Sequence, residues 1–79
     1  MITVAVTPED AQHVLWRYGH PAGRQPGSFT EHLIEAAAVA DPENLERLRR
    51  EFPSLVGAVW ATRVVGGVDF LAQVAEGTR

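Results

Sequence analysis

Apolar residues recur along this chain at two different spacings. Over Met1-Ile2-Thr3-Val4-Ala5-Val6 they alternate weakly, with Ile2, Val4 and Val6 on one side and Thr3, Ala5 and Thr7 on the other, which is a β-like period. This extended segment, 1–6, has no second strand to pair with inside the chain, so it either lies against helices or pairs with the same segment of a second copy. From residue 7 onward the spacing is helical. Thr7 as N-cap, Pro8 at the first helical position, and Glu9 and Asp10 against the positive helix end predict a helix running to about Tyr18, with Gly19 as a left-handed terminator. Its core stripe is Ala11, Val14, Leu15 and Tyr18, at i, i+3, i+4, i+7. Trp16 falls away from that stripe, beside Gln12 and Glu9. A large aromatic on a polar face is either an interface residue or one covered by the N-terminal segment or the following loop.

That loop, 19–27, reads Gly-His-Pro-Ala-Gly-Arg-Gln-Pro-Gly and cannot be helical, because its prolines remove backbone donors and its glycines remove backbone restraint. A second helix opens at Ser28-Phe29-Thr30-Glu31, a capping-box pattern, and runs to about Ala40. Phe29, Leu33, Ala36, Ala37 and Ala40 are expected inward, with Ile34 on the flank. Asp41-Pro42-Glu43 starts a third helix at once. Leu45, Leu48 and Phe52 form its buried edge, while Glu43/Arg47, Glu46/Arg50 and Arg47/Glu51 are candidate i, i+4 ion pairs. The fourth helix, from Pro53, has no polar face. Leu55, Val56, Val59 and Trp60 lie on one side and Gly57, Ala58 and Ala61 on the other, which predicts a central helix with Trp60 buried. Arg63 follows the Val59 side and can reach free carbonyls at a helix end. Gly66-Gly67 breaks the chain before a last short helix carrying Phe70, Leu71 and Val74. The fold class expected is therefore all-α, one domain over 1–79, a compact bundle of four to five short helices.

Composition narrows the chemistry. With 79 residues, 46% of them hydrophobic, there is material for one small core, and domains of this size often lean on a disulfide, a metal or a partner subunit. The chain has no cysteine, which excludes disulfides and thiolate metal sites, and His13, His20 and His32 make no ligand spacing template. No cofactor is expected. A net charge of −3 and a pI near 5.5 give no basic footprint for nucleic acid. No apolar run approaches the roughly 20 residues of a membrane span, and the expectation is a cytoplasmic protein. Every basic residue is arginine, lysine is absent and asparagine occurs once, as in proteins of GC-rich bacterial or phage genomes.

A set of residues carries a resemblance. Tyr18-Gly19, Pro26-Gly27-Ser28-Phe29-Thr30, Leu33-Ile34, Ala40-Asp41, Asn44, Arg47-Leu48 and Phe52-Pro53 resemble a group of small actinobacteriophage and actinobacterial proteins, over about half the chain. The resemblance implies a phage or bacterial source, with the host cytoplasm as location if the protein is phage-encoded. It implies no activity, and Arg24-Gln25 departs from the group's pattern just ahead of the motif.

Candidate chemistry is thin. The glycine-bearing loop delivers Arg24 to the helix start at Ser28, but the Gly-Lys-Ser/Thr ending and preceding strand of a phosphate loop are missing. Ser28 and Ser54 sit at helix starts, so neither is a convincing nucleophile, and no enzyme is expected. A DNA-binding helix-turn-helix has some footing, since the second and third helices are tightly joined and Arg47, Arg49 and Arg50 lie on the third. Asp41, Glu43, Glu46 and Glu51 cancel most of that charge. The sequence is read instead as a protein-binding module, self-associating as a homodimer or directed at a host protein, with Trp16, Arg24, Arg47 and Arg50 as candidate contact residues.

Overall fold

A computed structural model describes residues 6–77. It contains five helices, α1 (Pro8–Arg17), α2 (Ser28–Val39), α3 (Pro42–Glu51), α4 (Pro53–Ala61) and α5 (Gly67–Ala75), and the class is all-α. The expected extended segment lies outside the described residues except for Val6, whose side chain packs on the core.

Helix α1 starts as its sequence requires: the Thr7 hydroxyl accepts the Asp10 N–H at 3.1 Å. The Thr7 N–H in turn donates to Ser54 Oγ at 2.9 Å, tying the start of α1 to the first turn of α4. Ala11, Val14 and Leu15 are fully buried. Tyr18 is not on the stripe as expected but 48% exposed, because the helix ends at Arg17 and Tyr18 leaves helical geometry at φ −101°, ψ 11°. Gly19 takes φ 76°, and the Gly19 and His20 N–H groups donate back to the Trp16 and Leu15 carbonyls, both at 3.0 Å. This is the Schellman arrangement that satisfies the last carbonyls of a helix.

Helix α2 departs from the expected capping box. Gly27, extended at φ −70° and ψ 171°, is the N-cap, and its carbonyl accepts the Glu31 N–H at 2.9 Å. Ser28 is thereby already inside the helix and its hydroxyl caps nothing. The buried face is also rotated from the expected one. Ile34 and Ala37 are fully buried, while Phe29 is 69% exposed and Ala36 faces solvent. Ile34 and Ala37 join the core cluster with Leu33 partly buried against it, so the flank residue is the true anchor. Phe29 instead tilts against Phe52, with ring centroids 6.1 Å apart.

Asp41 Oδ1 accepts the Asn44 N–H at 2.8 Å and opens α3, which packs on α4. None of its residues is fully buried; Leu45, Leu48 and Phe52 are half-buried. Of the three expected ion pairs only Glu43–Arg47 closes well, at 3.1 Å. Glu46 is taken by Arg49 at 2.6 Å and lies 3.9 Å from Arg50, and Arg47, already engaged, does not pair with Glu51.

Helix α4 is central, packing on each of the other four helices. Leu55, Val56, Ala58 and Val59 are buried along it, and Leu55, Ala58 and Val59 join Val14, Leu15, Ile34 and Leu71 in the heart of the core. Trp60 corrects the sequence expectation: it is 53% exposed. Beyond α4 the chain turns through Gly66 at φ 79°, and Gly67 starts α5 pressed so closely on Ala61 that a Cβ there would overlap the Ala61 carbonyl oxygen. The far end of α5 is tied to α1 by Gln12 Nε2, which donates to the Ala75 carbonyl at 2.9 Å. Arg63 reaches a helix end as expected, but that of α2, donating to the Ala38 carbonyl at 2.8 Å.

Candidate interaction surface

The four contact candidates read from the sequence are not brought together. Trp16 is half-buried, with the 18–27 loop laid across its backbone. Arg24 stands exposed on that loop, its backbone N–H held by the Gln12 carbonyl at 3.0 Å. Arg47 and Arg50 project from α3, which packs on α4 rather than α1. Arg47 is held on its own helix by Glu43 and by Asn44 Oδ1 at 3.3 Å. Another cation is spent between helices: Arg17 Nε lies 2.7 Å from Glu35 Oε2, joining α1 to α2.

A different surface has the features of a contact site. Between α3 and α4 runs an open groove of about 360 Å³, lined by Pro42, Leu45, Val56, Gly57 and Trp60, with Glu46 and Arg49 on its rim. Gly57, one turn before Trp60, contributes no side chain to the groove, and the Trp60 indole is part of its lining. The Arg63 guanidinium carbon sits 5.9 Å from the centre of that ring, in cation–π range. The rim pair is a real electrostatic unit. Hydrogen bonding from Arg49, opposed by desolvation and assisted by the Arg49 and Arg50 charges, holds the Glu46 carboxyl below the usual carboxylate range. The same contact raises the Arg49 guanidinium further still.

Apolar exposure continues past the groove. Val64 and Val68 are partly exposed and Val65, at the tip of the turn between α4 and α5, is fully so. Loop tips are normally polar, and these three valines make this one apolar. Nothing in the sequence pattern placed Trp60 there.

Among the described residues no group of three or more histidine and carboxylate side chains is placed to hold a metal ion, and no helix is long and apolar enough to cross a membrane. No family model matches the chain, and no match to it is found among curated proteins or among solved structures.

Proposed function

We propose that this chain is a protein-binding module whose contact surface is the α3–α4 groove, with Trp60 as its anchor. The observation that carries the reading is the half-exposed Trp60 ring standing over an apolar groove. An exposed tryptophan gains little for the fold and much for a complex, since large aromatics and arginines dominate interface energies. Arg49 and Arg63 flank it and supply directional donors around an apolar centre, the arrangement of a polar rim about a dry core. Trp16, partly covered by its own loop, becomes a secondary candidate.

The DNA-binding alternative loses support from the ion pairs on α3. Arg47 and Arg49 are each engaged by a glutamate of the same helix, and Arg50 shares Glu46 with Arg49. Recruiting them to phosphates would mean breaking these contacts beside uncompensated carboxylates. The resemblance to small phage and bacterial proteins makes a bacterial protein or a second copy the natural class of partner.

The test is quantitative capture of partners from bacterial lysate by the immobilised chain and by Trp60→Ala, alongside sedimentation of each. Loss of both association and capture in Trp60→Ala, with unchanged helicity, supports the reading. Salt-sensitive binding to random duplex DNA at micromolar protein, unaffected by Trp60→Ala, would replace it with the DNA reading.

A further inference from the structure

We infer that His20 is a pH-sensitive latch: its neutral imidazole closes the turn that lays the 18–27 loop on α1, and protonation releases that turn. The inference is independent of the groove reading, since no residue of the groove takes part in the latch.

The turn is built outward from His20. The Ala22 N–H donates to His20 Nδ1 at 3.0 Å, and the Gly23 N–H donates to the His20 carbonyl at 2.9 Å. The first bond is the imidazole counterpart of an Asx turn, in which a side-chain acceptor takes the N–H two residues on. Pro21, between acceptor and donor, fixes one backbone angle and leaves the turn little freedom. Behind the turn, the His20 N–H is held by the Leu15 carbonyl at the end of α1. Ahead of it the chain lies on the same helix: Ala22 packs on the core, Gly23 rests against the Trp16 backbone, and the Arg24 N–H donates to the Gln12 carbonyl. One side chain thus holds the direction in which the loop leaves α1 and returns along it.

That bond exists in one protonation state only. Nδ1 accepts through its lone pair, which requires the neutral ring with its proton on Nε2; the imidazolium carries a donor on both nitrogens and has no acceptor. Protonation therefore sets an Nδ1–H against the Ala22 N–H, and two donors facing each other must part. No carboxylate compensates the new charge. The charged and titratable groups of α1, on which the turn lies, are Glu9, Asp10, His13 and Arg17; α1 packs on α2, which carries Glu31, His32 and Glu35, on α5, which carries Asp69, and on α4, which carries none. Glu35 is engaged by Arg17, and none of these acids forms an ion pair with His20 among the described residues. The other charge on the loop is Arg24, of the same sign as the imidazolium. The sign follows: the latch is closed while the ring is neutral and opens as pH falls through the interval in which histidine gains its proton. Opening frees the stretch that rests on Trp16 and carries Arg24, so both residues become more available in mild acid.

Amide hydrogen exchange of the full chain, read as protection relative to each amide's intrinsic rate, tests this between about pH 7.5 and about pH 5.5, where histidine changes charge. Protection of Ala22 and Gly23 should fall about five- to tenfold toward the lower pH, the worth of one hydrogen bond, while α4 amides hold theirs. His20→Asn supplies a side-chain acceptor that does not titrate, so both amides should stay protected at both pH values. His20→Ala should leave them weakly protected at both. Unchanged protection of Ala22 in the parent overturns the inference, as does His20→Ala matching the parent at the higher pH. A fall that persists in His20→Asn also overturns it and moves the titrating group to His13 or His32. A fall shared equally by α4 would make the event unfolding of the whole domain, and the latch would be discarded.

Discussion

Gly23 lies flat against the backbone of Trp16, so close that a Cβ at position 23 would overlap the Trp16 amide nitrogen and Cα. The 18–27 loop can fold onto α1 only because this one residue has no side chain. Gly23→Ala should therefore destabilise the protein by at least about 2 kcal/mol, since the opposing atoms are backbone and cannot swing aside. Gly27→Ala is the control: nothing lies near its Cβ position and its φ is −70°, so it should stay within about 0.5 kcal/mol of the parent. Chemical denaturation of the two variants reads the contrast.

Trp60→Ala should cost less than truncation of a fully buried core residue, because about half of the side chain is already in water. Leu15→Ala and Ile34→Ala, at fully buried positions, should cost about 2–5 kcal/mol. A Trp60→Ala loss as large as theirs would place the indole inside the fold and remove it from any interface.

Helix starts give a paired prediction. Asp41→Ala removes an observed cap on the Asn44 N–H and should destabilise by about 0.5–2 kcal/mol. Ser28→Ala should be nearly silent, since Gly27 holds the cap position of α2 and the serine hydroxyl bonds no helix donor. Equal losses in thermal melts of the two variants would restore the capping box at Ser28.

The Glu46 carboxyl should titrate below the usual glutamate range in a carbon-detected NMR titration, and Arg49→Ala should return it toward that range, because Arg49 is the leading cause of the shift. A carboxyl whose folded-state pKa is lowered stabilises the fold fully above its unfolded pKa, and the contribution disappears as pH falls through the folded value. The stabilisation from this pair is thus lost only in acid, and the loss should be absent in Glu46→Gln. Both groups are exposed, so the effect also fades with added salt.

Local signals were legible in the sequence, and relational ones were not. Thr7, Pro8, Asp41 and Pro42 act on donors within one helical turn, and the structure keeps each where its chemistry places it. Gly19 ends α1 and Gly66 precedes α5, each at a positive φ, for the same local reason. The face of α2 failed because seven of its residues are apolar, so periodicity alone left the angle open until α1 and α4 selected Ile34 and Ala37. Trp60 failed because an all-apolar helix predicts contact on every side, and only the position of α3 decides which side goes uncovered. The Arg17–Glu35 bridge, spanning 18 residues, has no periodic signature at all.

The hub position of α4 ties occupancy of the groove to the whole domain. A molecule gripping Trp60 holds the one helix, among the described residues, on which all the other helices substantially pack, so it cannot be released by a local opening that leaves the remainder intact. Amide exchange in α1, α2 and α5, far from the point of contact, would slow together with exchange in α4. The melting temperature would climb with partner concentration as mass action requires.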